Sequence, residues 1–280
     1  MPQRNSRALQ LPAEHSRSWL LISAARKEAF AAALTSEADS VVLDLEDAVP
    51  AKEKARARQA TVDALSHGMS TWVRVNGPES EYWADDLAAL SNAAGLRGVM
   101  LAMTETAEQI TATAEKLPAG TPVIALIESA IGIDNAVAIA TAAGTFRLAF
   151  GVGDFRRDTG AADTPRALAY ARSRLVVASR VGRLPGAIDG PSVGVTGPEL
   201  REACSVTAEM GMTGKLCLAP ESAETINTAL SPAEADIQWA GKLLAEHASG
   251  AAIGDGSYLP RLARAQKIVA LAETYGLLKA

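Results

Sequence analysis

The chain has 280 residues, of which 48% are apolar and only 4% aromatic, with two cysteines and a formal net charge of −5. This is enough apolar material for a large core built mainly of Ala, Val, Leu and Ile, and the acidic balance (pI near 5.4) argues against a nucleic-acid binder working through a basic face. Cys204 and Cys217 make no disulfide framework, no apolar run reaches about 18 residues, and "MPQRNSRALQLPAEHSR" lacks the apolar centre of a secretory signal. A cytoplasmic globular protein without nucleic-acid or membrane partners is expected.

Residues 1–16 read as a loose arm. Eight short apolar runs then recur at 18–23, 41–46, 71–76, 98–103, 122–128, 147–154, 186–190 and 214–219, separated by Ala-rich helical stretches. Runs apolar on both faces and each followed by a helix indicate parallel strands covered on both sides. The helices are punctuated. "PAKEKARARQATVDALSHG" starts at Pro50 and stops at Gly68, "TETAEQITATAEKLPAG" opens with a capping Thr, and "TPRALAYARSRLVVASRVG" runs from Thr164–Pro165 to Gly182. Eight such units predict an α/β fold, a (β/α)8 TIM barrel over 17–230. A doubly wound open sheet is the alternative, but no Gly-rich phosphate loop follows the first strand. Helical stretches near 232–248 and 260–278 make a C-terminal extension (231–280), and the Gly-rich "SGAAIGDGSYLP" between them reads as a lid loop.

In such barrels the reacting groups sit at the C-terminal strand ends. Asp44, Glu46 and Asp47 end the second run, Arg74 and Asn76 the third, Glu128 the fifth, Asp154 the sixth, and Asp189 lies near the end of the seventh. Glu128 and Asp154 fall on neighbouring strands, and a hard divalent ion commonly takes one or two carboxylates and fills its remaining sites with water and substrate oxygens. His15, His67 and His247 lie away from strand ends, which argues against zinc. Arg74 offers a planar fork to a substrate carboxylate. Ion and arginine together suit a small 2-oxo acid, with Glu46 and Asp47 supporting Arg74 or ion-bound waters. Taken singly, Asp44 and Asp189 read as helix caps or loop partners, and Arg74 as a structural partner of Glu46. The arginines 166, 172, 174, 180 and 183 read as a solvated or subunit-facing helix surface rather than a phosphate site.

The motifs "VVLDLEDAVPAKEKARAR", "VRVN", "VIALIESAIGI", "GVGDF", "YARSRLVVASR" and "GMTGKLCLAP" resemble the citrate lyase β-subunit-like branch of the HpcH/HpaI aldolase family, from about Ser18 to the C-terminus. The resemblance implies a (β/α)8 barrel that makes or breaks carbon–carbon bonds, usually between a 2-oxo acid and an acyl-CoA enolate. It implies Mg²⁺, or Mn²⁺, on Glu128 and Asp154, and the oxo-acid carboxylate on Arg74. It also implies a trimer or a pair of trimers, with the C-terminal segment reaching towards a neighbouring subunit. There are departures: Ala102 and Met103 replace the Pro–Lys of "LPKxES", Ala219 replaces the His of "IHPxQ", Gly153 replaces a Glu, and Tyr258 takes the place of a lid Asp that serves acid/base chemistry in relatives. The loss of that Asp puts acyl-CoA use in doubt. The expected function is a Mg²⁺-dependent carbon–carbon lyase or aldolase acting on a small 2-oxo or hydroxy carboxylic acid, catalysed with Arg74, Glu46 and Asp47. The alternatives are a non-catalytic metabolite-binding relative and a thioester hydrolase.

Overall fold

The structure is a computed structural model that describes residue 8 and residues 10–249 and 256–278. Its eight strands are β1 (Ser18–Ser23), β2 (Ser40–Asp44), β3 (Thr71–Val75), β4 (Leu96–Leu101), β5 (Val123–Ile127), β6 (Thr145–Phe150), β7 (Ile188–Asp189) and β8 (Gly214–Cys217). All pair in parallel, each with the next, and β1 closes on β8. This closed barrel rules out the open doubly wound sheet.

Side chains alternate across a strand, so every second residue enters the lumen. Trp19, Val42, Trp72, Met100, Ile124, Leu126, Ala149, Ile188 and Leu216 fill it as one cluster. Trp19 and Trp72 meet edge to face at 5.3 Å. Arg147 is buried at the other end from the strand C-termini. It donates to the carbonyls of Ser16 (2.9 Å) and Gly186 (2.6 Å) and to Thr213 Oγ1 (2.9 Å). Within the stretch expected as a loose arm, Ala13–His15 form a 3-10 turn, and Leu11 and Ser16 are buried. Residues 1–7 and 9 lie outside the described residues.

The helices follow their sequence signals. The short α1 (Phe30–Thr35) follows β1, and α2 (Lys54–Ser66) follows β2 after a 3-10 turn. Next come α3 (Trp83–Leu90) and α4 (Ala107–Glu115), the latter with Thr106 and Gln109 in a reciprocal capping box. Then α5 (Ala130–Asp134), α6 (Ala136–Thr141), α7 (Val152–Thr159) and α8 (Pro165–Val181) follow. Thr164 caps α8 by accepting from the Ala167 N–H, and Pro165 occupies the first turn, where its missing N–H costs nothing. Last in the barrel are α9 (Gly197–Glu209) and α10 (Ser222–Ala229).

The chain divides into two compact units, up to residue 229 and from residue 230. In the second, α11 (Glu234–Ala248) packs on α12 (Tyr258–Thr274) through Ala240, Leu243 and Ala265. Tyr258 Oη lies 2.7 Å from His247 Nδ1. Residues 250–255, the centre of the expected lid loop, lie outside the described residues.

Several expected strand ends move. The sixth run was expected to 154, but β6 stops at Phe150 because Gly151 turns the chain into α7, which carries Asp154 in its first turn. The second run was expected to 46, but β2 stops at Asp44, leaving Glu46 and Asp47 in the loop before α2. Asp44 causes this itself: its carboxylate accepts from the backbone N–H groups of Glu46 (2.9 Å) and Ala48 (3.3 Å), folding the chain into a turn.

Candidate active site

The lumen-facing phase carries the polar groups directly above the core: Val42 is followed two residues later by Asp44, Trp72 by Arg74, and Leu126 by Glu128. This explains how an apolar strand ends in acids without a break in pattern. Asp44, Arg74 and Glu128 are all buried.

Arg74 is the centre of the mouth. Its Nε and Nη2 donate to the two oxygens of Asp44 at 2.7 and 2.6 Å, a bidentate pair between adjacent strands. Its Nη1 lies 2.9 Å from Glu46 Oε2, an ion pair without hydrogen-bond alignment, since that buried oxygen has no hydrogen-bond partner. A guanidinium has five N–H donors. Two are used on Asp44 and Nη1 is ion-paired with Glu46, which leaves part of the fork for a ligand. Asp44 thus does more than cap a turn, and Arg74 is shared between Asp44 and Glu46 rather than given to Glu46 alone. Burial works against the Arg74 cation, but Asp44, Glu46 and Glu128 outweigh it and raise its pKa.

Acids outnumber cations at the mouth. Burial pushes the Glu46 carboxyl up to about 7 against the pull of Arg74. Burial likewise pushes Glu128 up to about 8, although the Met103 N–H donates to its Oε1 at 2.7 Å. Asp154 adds to the push on Glu128. Two local features seat Glu128. Met103 adopts φ +49, an uncommon backbone conformation for a side-chain-bearing residue, and it is this backbone that supplies the N–H. Gly151, next to Ile127 across the β5–β6 pairing, clears the other side: a Cβ there would overlap Glu128 Oε2 and come within 2.5 Å of the Glu128 Cβ.

Asp154 is half-buried, with Oδ1 held by Arg157 Nη2 at 2.8 Å. Among the described residues no group of three or more His, Cys, Asp or Glu side chains is placed to hold a metal ion, so any ion here would rest on the two carboxylates of Glu128 and Asp154. That donor set suits a hard ion that keeps several waters, as Mg²⁺ does. A buried carboxylate held well above its ordinary range by desolvation is the group a cation would return to its charged form. Mg²⁺ therefore fits the residues present.

The structure brings Asp44, Glu46, Arg74 and Glu128 together, with Asp154 beside them in charge. Asp47 is exposed in the loop after β2. Asn76, expected on the rim, is instead buried: its side-chain amide donates to Asp86 (2.6 Å) and to the Leu45 carbonyl (3.1 Å), and its oxygen accepts from Lys54. Asp189 is corrected too. Ile188 takes the lumen position, so Asp189 points outwards, where Arg172, Thr207 and Lys215 hold it. Arg172 is correspondingly buried and not part of a solvated face.

Sequence reasoning passed over Lys54, at the start of the helix that follows β2. It is buried, and Nζ donates to the carbonyls of Leu45 (2.7 Å) and Glu46 (2.8 Å) and to Asn76 Oδ1 (2.7 Å), pinning the loop that carries Glu46. Its place four residues after Pro50, at the start of α2, was the available signal.

This is the layout of a barrel enzyme with an acidic, arginine-centred mouth. The profile of the HpcH/HpaI aldolase/citrate lyase family matches residues 17–220, and that of the HpcH/HpaI aldolase C-terminal domain matches residues 235–276. The chain belongs to this family. It is 32% identical over 254 residues to the citrate lyase subunit beta-like protein of Deinococcus radiodurans, covering 86% of this chain and 89% of that protein. It is 30% identical over 261 residues to a (3S)-malyl-CoA thioesterase of Cereibacter sphaeroides, covering 88% and 90%. The crystal structure of CitE from Mycobacterium tuberculosis in complex with magnesium, acetoacetate and coenzyme A superposes with a TM-score of 0.77 at 29% identity, over 93% of this chain and 99% of that one. No helix among the described residues is long and apolar enough to cross a membrane.

Proposed function

We propose that the protein is a Mg²⁺-dependent carbon–carbon lyase or aldolase acting on a small 2-oxo or hydroxy carboxylic acid, free or as its CoA adduct. The observation that carries this reading is the surplus of carboxylates, buried Asp44 and Glu128 and half-buried Glu46, around the single guanidinium of Arg74. Such a surplus suits a site completed by a cation. Glu128 and Asp154 would hold the ion, whose chemistry is to polarise the oxo oxygen and stabilise negative charge developing there. Arg74, oriented by Asp44, offers its remaining N–H groups to the substrate carboxylate. Glu46, with its carboxyl near 7, is suited to hold or release a proton close to neutral pH. Asp47 contributes charge at the entrance. The assembly we propose is the trimer or pair of trimers, and exposed Tyr170, Val177 and Val181, spaced along α8, give it an apolar stripe to bury.

The test is thermal unfolding of the purified protein with Mg²⁺ and pyruvate, glyoxylate or oxaloacetate, alone and combined. Stabilisation that needs both ion and acid, and disappears in Asp154→Ala, is the expected result. Stabilisation by Mg²⁺ that survives unchanged in Asp154→Ala would sink the two-carboxylate site.

Thioester hydrolysis on the same barrel is the second reading, favoured by the 30% identity to a malyl-CoA thioesterase. Products separate the two. Hydrolysis leaves free CoA and an intact acid, whereas cleavage leaves an oxo acid and a shorter acyl-CoA.

A further inference from the structure

Glu105 stands between β4 and α4, in the loop that also carries Met103. It is half-buried, and the chemistry proposed above makes no use of it. Its Oε1 accepts from the Ser129 hydroxyl at 2.5 Å, and Ser129 directly follows Glu128. The Ser129 oxygen in turn accepts from the Gly132 N–H at 3.1 Å and so caps α5. The Glu105 backbone is fixed as well. Its N–H donates to Gln109 Oε1 at 2.7 Å, and its carbonyl accepts from the Asn135 side-chain amide at 2.9 Å. Thr104 ties the same loop to β5, donating its N–H to the Leu126 carbonyl at 3.1 Å. Gly132 lets α5 approach this loop closely: a Cβ there would lie 2.7 Å from the Thr104 carbonyl oxygen.

These contacts bracket Glu128. The Met103 N–H holds the end of its side chain, and the backbone leaving it is held at Ser129. Both holds come from residues 103–105, so loop and carboxylate close into one ring. Met103 meets Glu128 through a hydrogen bond, Glu128 leads to Ser129 along the chain, Ser129 meets Glu105 through a hydrogen bond, and Glu105 leads back to Met103 along the chain. A hydroxyl donating to a carboxylate makes a short, strong bond, which fixes the Ser129 rotamer. The charges that act most strongly on Glu128 are those of Arg74, Glu46 and Asp154, so Glu105 reaches it through geometry rather than through its field. We propose that Glu105 is a positioning residue for Glu128, fixing that carboxylate through Ser129 in the place where it holds the ion. The proposal rests on the reading of Glu128 as an ion ligand. A site with only two protein carboxylates depends on the placement of each, because a small hard ion demands near-ideal geometry.

The experiment compares the full-length wild type with Glu105→Ala, Glu105→Gln, Ser129→Ala and the double variant Glu105→Ala/Ser129→Ala, by two measurements. Hydrogen exchange of the Met103 amide, in chelator, reads the seat of Glu128 without any ion. Calorimetric titration with Mg²⁺ reads the ion site. In Glu105→Ala and Ser129→Ala the Met103 amide should exchange about tenfold faster and Mg²⁺ should bind about fivefold more weakly. Glu105→Gln keeps an oxygen for the Ser129 hydroxyl and should stay within about twofold of wild type in both. The double variant should be no worse than either single one, because the two residues act along one path. Amides of β2 and β3 should keep their wild-type exchange, which a general loosening of the barrel would not allow. Unchanged Met103 exchange in Glu105→Ala overturns the proposal, as does faster exchange spread evenly over the barrel. So does faster Met103 exchange with unchanged Mg²⁺ affinity, or a Gln variant as impaired as the Ala variant. A wild type that binds no Mg²⁺ overturns the ion reading of the mouth, whereas Met103 exchange still decides whether Glu105 holds Glu128.

Discussion

Replacing Glu128 by Gln tests whether burial burdens this carboxylate. The variant keeps the shape and keeps an oxygen to accept the Met103 N–H, but it removes the ionisable group. In the metal-free wild type the folded-state pKa is about 8, against an ordinary value of 4.5. Between those values the folded protein holds a proton that the unfolded chain has released, so stability falls as pH rises through the window. At about 1.4 kcal/mol per pH unit, full expression amounts to about 5 kcal/mol. Water entry and local rearrangement soften such penalties, so the expected difference is ~2–3 kcal/mol. Glu46 is raised in the wild type too and its charge pushes Glu128 up, so the comparison reads the loss of the Glu128 carboxyl together with its interaction with Glu46. The assay is urea unfolding in chelator at about pH 5 and pH 8. Relative to wild type, Glu128→Gln should gain ~2–3 kcal/mol between the two pH values. Added Mg²⁺ should stabilise the wild type at pH 8 and leave the variant unchanged. An equal stability difference at both pH values would refute the claim that Glu128 is held protonated by desolvation.

Gly151→Ala puts a methyl group where Glu128 Oε2 lies; Mg²⁺ affinity measured by titration should drop at least tenfold while the circular dichroism spectrum is retained. Lys54→Met removes three hydrogen bonds from a buried ammonium and leaves two carbonyls and Asn76 short of a donor. Urea unfolding should show a loss of ~3 kcal/mol, and turnover should suffer further because the Glu46 loop loses its anchor. Full activity in Lys54→Met would mean that the loop is held by Asp44 alone.

Period two made most of the barrel readable. Long runs such as "VVLDLED" and "VIALIES" fix their own phase, so the lumen position of Asp44 follows from Val42 two places earlier and that of Glu128 from Leu126 and Ile124 two and four places earlier. The seventh run, "GAIDG", is too short to set a phase, and β7 proves to be only two residues long. Asp189 was therefore placed on the rim when it faces the helices. The same gap hid Arg172, whose burial depends on an Asp from another element rather than on its own helix pattern. The second strand was overrun because its turn is made by the Asp44 side chain instead of by Gly or Pro, and the sixth because Gly151 leads straight into a helix whose first turn carries Asp154. The planar fork of Arg74 at a strand end, and then the family likeness, named it as a carboxylate holder, but its tie to Asp44 needed the β2–β3 register, which sets the two side by side. That tie makes Arg74 rigid as well as charged. A guanidinium fixed by one carboxylate and still carrying free donors is better suited to orient a second carboxylate than a free one would be, because its conformational entropy is already lost before the ligand arrives.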